Sequence, residues 1–247
     1  MLLTPDKAIE QMYSDPDYLK RFVNIDLWEA EKVLIDKYFQ PETSVLDIGC
    51  GAGRVAIALS VHGYKVVGID ILTAMLRQAA IQTEKYNAQV KYIKINAANM
   101  TAFHDECFDN VIMAYNVYEL IYRSENRKKV ISEIARVLKP GGYFILTIRS
   151  GFAFGKRLVW WLLLPIHYPY FRIKFSGKCE WCIGDALRGK SYHHYYNPFT
   201  LKKMVMKFGF ELVYFNSSKN IENNKTSTIF TNFSDDRALF YVMRKNI

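Results

Sequence analysis

The chain has 247 residues, half of them hydrophobic and 23% charged, enough apolar material for one sizeable α/β domain with an elaboration and too ordered a composition for a disordered or fibrous protein. Its net charge of +9 is unevenly placed: residues 1–150 hold 18 basic and 18 acidic side chains, 151–215 hold 10 and 3, and 216–247 hold 5 and 3, so an anionic partner would be drawn to the second half. Met1 to Gln11 carries acids and no long apolar core, so no signal peptide is expected, and Cys50, Cys107, Cys179 and Cys182 are expected as reduced thiols of a cytoplasmic protein.

From Thr4 to Phe39 the apolar residues recur at mostly helical intervals, interrupted near Ser14-Asp15-Pro16. This predicts two amphipathic helices ahead of the sheet. Val45-Leu46-Asp47-Ile48 then reads as a short buried strand. The glycines after it form a sharp turn into a helix from Arg54 to His62, with Gly63 at its end. A Gly-rich strand-to-helix turn is the nucleotide-binding corner of an open α/β sheet, and its ligand belongs at the carboxyl end of the strand. The glycines stand at 49, 51 and 53, which is not the dinucleotide spacing G-x-G-x-x-G, so a dehydrogenase is disfavoured, and no P-loop Lys is present. Asp47 would repel a pyrophosphate.

Asp47-Ile48-Gly49-Cys50-Gly51-Ala52-Gly53 resembles motif I of the class I S-adenosylmethionine-dependent methyltransferases. The resemblance implies an α/β fold: a doubly wound, mostly parallel seven-stranded sheet with an antiparallel last strand and helices on both faces. It implies S-adenosyl-L-methionine as cofactor and S-adenosyl-L-homocysteine as product, with Asp47, Gly49, Cys50, Gly51 and Gly53 in the cofactor site. A leading segment often covers the cofactor in this family, which makes Tyr13, Tyr18 and Arg21 substrate-side candidates.

Lys65 to Asp70 is a second buried strand ending in a carboxylate. Asp70 lies about 20 residues past the glycine turn, where a fingerprint acid takes hydrogen bonds from ribose hydroxyls; Ile71 follows it into the cofactor site. A helix from Thr73 to about Tyr86 leads to a strand from Val90 to Ile95. In the resembling family an acid usually stands where Asn96 stands and holds the adenine amino group. The Asn96 amide oxygen can accept the same bond, and Ala97 would offer its backbone N–H to the ring.

Phe108 to Asn116 reads as the fourth strand, running out at the edge that carries the glycine turn. That topology places this edge beside the reactive methyl group, so Tyr115, Asn116, Tyr118 and Glu119 are acceptor-side candidates, with Tyr115 and Asn116 also expected in the cofactor site. Ser124 is expected to cap a helix through Leu138, which Lys139-Pro140-Gly141-Gly142 stops before a strand from Tyr143 to Ile148. Leu-Lys-Pro-Gly-Gly ahead of an apolar strand is a second match to the family.

From Ser150 to His194 the pattern changes. Leu158 to Leu164 is continuously apolar but far short of the ~20 residues a membrane span needs. Trp160 and Trp161 within it are substrate-side candidates, set to roof an apolar acceptor, to lie on an anionic membrane or to pack as a lid. Cys179 and Cys182 form a single C-x-x-C without a second pair, so no metal site is expected. Pro198 to Phe208 reads as a helix, Gly209 to Phe215 and Arg237 to Arg244 as a closing hairpin, and Asn216 to Asp236 as a long loop. The chain thus divides into a helical lid (1–40), a cofactor core (41–149), a cap (150–195) and a closing helix and hairpin (196–247).

A sulfonium methyl is already an activated electrophile, so transfer needs chiefly an acceptor atom aligned about 3 Å away in a dry site. A base is required only for an acceptor protonated at neutral pH. His193 and His194 are the first candidates because histidine titrates near neutrality, and Glu119 is the second. The acceptor expected is small or amphiphilic, anionic or lipid-like. The alternatives are a tRNA or other RNA nucleoside, since Gly184-Asp185, Ser191 to Tyr195 and a helix ending in Gly209-Phe210 loosely resemble the tail of methyltransferases of tRNA wobble uridines, a tail order that resembles small-molecule and lipid methyltransferases as loosely, and a cofactor-binding subunit without turnover.

Overall fold

The computed structural model describes residues 25–149, 194, 196, 198–233 and 238–247. The first expected helix and almost all of the cap lie outside the described residues. The described chain opens with α1 (Glu29–Tyr38) and then alternates strand and helix: β1 (Ser44–Ile48), α2 (Arg54–Val61), β2 (Lys65–Asp70), α3 (Thr73–Lys85), β3 (Val90–Lys94), β4 (Phe108–Met113), α4 (Ser124–Val137) and β5 (Leu138–Ile148). It ends with α5 (Pro198–Met206), β6 (Phe210–Ser217), the short α6 (Ser218–Glu222) and β7 (Leu239–Lys245).

The seven strands form one sheet in the order β3-β2-β1-β4-β5-β7-β6, parallel except for β7, which runs antiparallel to both of its neighbours. The expected sheet is therefore present, with its reversed strand inserted one place in from the edge. β1 sits at the centre with Asp47 opposite Gly68 on one side and Ile112 on the other. Four of its five residues are buried, as a strand covered on both faces requires. On one face Leu46, Val111, Phe144 and Leu146 meet Val130, Ile131, Ile134 and Val137, a single helical stripe of α4, together with Leu201 and Val205 of α5. On the other face Val45, Ile112, Ile145 and Val242 meet Leu34 and Ile35 of α1 and Val55, Ala56 and Leu59 of α2.

Four expectations change in detail. β4 stops at Met113, because Tyr115 and Asn116 take positive φ (55° and 62°) and turn the chain into a short 3-10 segment, Val117–Leu120. Ser124 is the first helical residue and not the cap: Arg123 holds that place at φ 69° and makes no side-chain capping bond. Lys139-Pro140-Gly141-Gly142 lies within β5, whose pairing jumps from Phe108 with Leu138 to Asn110 with Tyr143 and so bulges the extra residues out. The polar stretch after Asn216 is a hydrogen-bonded knot, not a bare loop. Ser217 caps α6 by accepting from the Asn220 N–H (3.3 Å), Asn216 Nδ2 donates to the Lys225 carbonyl (2.8 Å), and Thr231 Oγ1 accepts from the Thr228 N–H (2.9 Å).

Candidate active site

The carboxyl ends of β1, β2 and β4 open on one cleft of about 1200 Å³. Its first wall is the turn after β1. The N–H groups of Gly49 and Cys50 both donate to the Ile69 carbonyl (2.8 and 3.0 Å), folding the turn back onto β2. Gly49 has φ +70°, and a methyl group added there would meet Val117 Cγ1 at 2.4 Å, so only a bare α-carbon lets the two turns touch. Gly51 has φ +54° with open space where a side chain would be, which leaves the backbone bare to a ligand.

Asp70 closes this corner. Its Oδ2 accepts from the Gly51 N–H (3.0 Å) and its Oδ1 from the Leu72 N–H (2.9 Å). Burial raises its pKa, against the lowering effect of those backbone bonds. Each oxygen keeps a second lone pair for a ligand hydroxyl. Ile71, 42% exposed, and Ala97 flank the same space. Asn96 also lines it, but its Oδ1 already accepts from the Ala98 N–H (2.9 Å) in a local turn.

Asp47 lies beneath the turn, 2% exposed, with Oδ2 buried and without a hydrogen-bond partner. Burial pushes its pKa up to about 7, against the pull of the nearby Arg54 charge. The Cys50 thiol, buried among the same groups, is held well above its ordinary range by burial.

A cluster that the sequence reading did not single out holds the mouth of the cleft. Arg54 Nη1 and Nη2 grip the two carboxylate oxygens of the fully buried Glu31 (2.7 Å each), and Nη1 also donates to the Asp26 carbonyl (2.8 Å). Glu31 Oε2 in turn accepts from the Trp28 N–H (2.8 Å). The Arg54 guanidinium lies over the rings of Trp28 (5.3 Å) and Tyr115 (5.8 Å), which approach each other at 5.4 Å. The only sequence signal for this cluster is an arginine directly after the glycine turn.

The opposite wall comes from the turn after β4 and from α4: Asn116, Leu120, Ile121, Tyr122 and Val130, with Arg149 at the end of β5. Two residues expected on this side are turned away. Tyr118 is fully buried, its hydroxyl donating to the Arg127 carbonyl (3.0 Å) and its ring stacked on Tyr196 (5.0 Å). Glu119 is also fully buried and accepts from the Arg149 N–H, which fastens the end of β5. The 3-10 turn points both side chains into the core, so neither lines the cleft. His194 donates its backbone N–H to the Glu119 carbonyl (2.8 Å) and sets its ring edge-on to Tyr196 (4.5 Å), and it is not among the residues that line the cleft. Tyr13, Tyr18, Arg21, Trp160, Trp161 and His193 lie outside the described residues. Among the described residues no cluster of three or more His, Cys, Asp or Glu could hold a metal ion, and no helix is long and apolar enough to cross a membrane.

Residues 45–142 match the model of a methyltransferase domain. Over 216 residues, 83% of each chain, the sequence is 27% identical to a demethylmenaquinone methyltransferase of Symbiobacterium thermophilum. Over 106 residues it is 39% identical to a sterol 4-C-methyltransferase of Caenorhabditis elegans, a match spanning 41% of this chain but only 29% of the nematode protein. The crystal structure of a SAM-dependent methyltransferase from Methanosarcina mazei superimposes with a TM-score of 0.67 at 26% identity, covering 90% of this chain and 100% of that one. Glycine spacing, strand order and these likenesses agree, and together they support a class I S-adenosylmethionine-dependent methyltransferase.

Proposed function

We propose that this protein transfers the methyl group of S-adenosylmethionine to a small amphiphilic acceptor. The observation that carries this reading is the two-part cleft. At about 1200 Å³ it exceeds the roughly 300–1,000 Å³ of an ordinary ligand site, which leaves space for a second molecule beside the cofactor. One half holds Asp47 and Asp70, while in the other Leu120, Ile121, Tyr122 and Val130 stand with Asn116, Asn126 and Arg149, an amphiphilic wall. Two relatives are named for a sterol and for demethylmenaquinone, molecules whose chemistry suits such a wall.

The cofactor supplies, when bound, a methyl group already activated by its sulfonium charge. The residues present fit it. The bare Gly51 α-carbon admits a close-lying ligand, Asp70 offers lone pairs to ribose hydroxyls, and the orphaned Asp47 oxygen sits in a pocket that rewards a positive charge. The chain's own task is then to orient the acceptor and to exclude water. His194 is not among the described residues that line the cleft, and His193 lies outside the described residues.

Incubation with methyl-labelled S-adenosylmethionine and a total lipid extract tests the reading. Label is expected in the organic phase. Label in an added tRNA fraction would overturn the acceptor class, and undiminished cofactor binding without transfer to either would favour a subunit lacking turnover.

A further inference from the structure

We propose that the outer face of α4 and α5 docks on an anionic phospholipid surface; the inference stands whatever the acceptor is. The two helices lie on one face of the sheet. Val130, Ile131 and Ile134 of α4 enter the same core as Leu201 and Val205 of α5, and the buried Tyr118 hydroxyl reaches both the Arg127 carbonyl (3.0 Å) and Met204 Sδ (3.9 Å). The residues turned away from that core repeat in each helix at i, i+3, i+4 and i+7. On α4 they are Glu125, Lys128, Lys129 and Ser132, and on α5 Phe199, Lys202, Lys203 and Met206, all of them exposed.

The charge of this face is one-sided. Among the described residues, the exposed charges of α4 and α5 are four lysines against Glu125 alone, with Lys207 directly after. The opposite layer, α1 to α3, exposes Glu29, Asp36 and Glu84 against Lys37, Arg77 and Lys85. Val33, Val61 and Ile81 are exposed there too, but amid balanced charge. Contact with water is served by mixed signs, whereas an excess of one sign draws in its opposite. Phe199 (46% exposed) and Met206 (51% exposed) stand within the lysine stripe itself. Lysine stems can lie along apolar surface while their ammonium groups reach lipid phosphates, and the two apolar side chains enter the headgroup layer between them. A nucleic acid would answer the lysines but leave Met206 without an apolar partner, so a bilayer fits more of the face. Asn126 and Val130 of α4 line the cleft, which puts the docked surface about one helix diameter, roughly 10 Å, from it.

Co-sedimentation with vesicles tests this, using phosphatidylcholine alone and phosphatidylcholine mixed with phosphatidylglycerol. The wild type is expected to sediment with the mixed vesicles, to stay in solution with phosphatidylcholine alone, and to be released by salt. A lysine near an anionic surface contributes about fivefold in affinity, so Lys202→Gln with Lys203→Gln should weaken binding by about 25-fold. Arg77→Gln with Lys85→Gln removes the same charge from the opposite layer and should weaken it by at most about threefold. Met206→Ser should weaken it about threefold or more and leave its salt dependence unchanged. Urea midpoints at the wild-type value would show that the variants fold. The inference is overturned by a wild type that does not sediment with the mixed vesicles or binds both kinds equally, by equal losses in the two charge pairs, or by wild-type binding in Met206→Ser. It is also overturned if tRNA binds more tightly than the vesicles at the same salt and depends on the same two lysines, which would give the face to nucleic acid.

Discussion

The turn after β1 and the turn after β4 leave the same edge of the sheet and touch through Gly49 and Val117, yet they treat their polar groups in opposite ways. In the first, the N–H groups of Gly49, Cys50 and Gly51 find the Ile69 carbonyl and the Asp70 carboxylate before any ligand arrives. In the second, Asn116 keeps a buried oxygen with no partner beside the amphiphilic wall. The difference separates a corner whose N–H groups the protein satisfies from one that keeps a buried oxygen unsatisfied. Breaking the first corner is expected to cost stability, cofactor affinity or both.

The largest expected effect tests the clamp over the first corner. Arg54→Ala strands the fully buried Glu31 without its partner, and breaking a buried pair in this way costs about 3–5 kcal/mol. Urea denaturation should show that loss. Arg54→Lys keeps the charge but not the two-pronged grip, so it should fall between wild type and Ala. If Arg54→Ala unfolds at the wild-type midpoint, the clamp is ornamental and the first corner stands on the glycine turn alone.

Next comes the contact between the two turns. Gly49→Ala drives a methyl group to 2.4 Å from Val117 Cγ1 at φ +70°, and overpacking with left-handed strain should remove about 2–4 kcal/mol. Gly51→Ala meets nothing within 4 Å, so it should cost only the strain, about 1–2 kcal/mol, and lower cofactor affinity instead. Val117→Ala should recover part of the Gly49→Ala loss. Equal losses of stability at the two glycines would show that the turns do not press on each other.

Asp70→Ala reads the same corner through its ligand. It removes an acceptor from two backbone N–H groups and from the ribose, and charged hydrogen bonds of roughly 1.5–3 kcal/mol each predict a loss of affinity of about 100-fold by calorimetry. Asp70→Asn keeps one acceptor oxygen and should lose less. Near-wild-type binding by Asp70→Ala would remove the ribose assignment.

The same contrast explains what could be read from the sequence. The first corner is local: glycines two apart and an acid at the end of the next strand are written within one stretch, and β2 falls at Lys65–Asp70 as expected. The Arg54, Glu31 and Trp28 clamp is not local. It depends on how α1 packs against the turn, which no spacing encodes. Tyr118 and Glu119 were expected on the acceptor side because β4 was carried through to Asn116. Two left-handed residues end the strand early and swing both side chains into the core. Left-handed backbone at a Tyr-Asn pair has no sequence signal as strong as glycine, so the inward turn could not be foreseen. The polar run after Asn216 misled for another reason: Asn, Ser and Thr close turns with one another as readily as they face water.

The smallest effect concerns proton linkage at Asp47, the one group of the first corner that the protein leaves incomplete. Burial holds its folded pKa near 7, above the ordinary 3.8. The free folded protein therefore keeps a proton that the unfolded chain releases earlier. The stability from this group is present in full below about pH 4 and is lost as pH rises to about 7. A positively charged ligand beside the carboxylate reverses the preference, because it binds the ionised form. S-adenosylmethionine should then release up to one proton on binding, and its affinity should rise with pH between about 5.5 and 7.5, by at most tenfold per unit, before levelling. Calorimetry in buffers of different ionisation enthalpy would measure the proton directly, and Asp47→Asn should show neither the proton nor the slope. A flat profile in the wild type would mean that the Asp47 carboxylate meets no charge on the ligand, leaving the first corner to recognise only the sugar and the base.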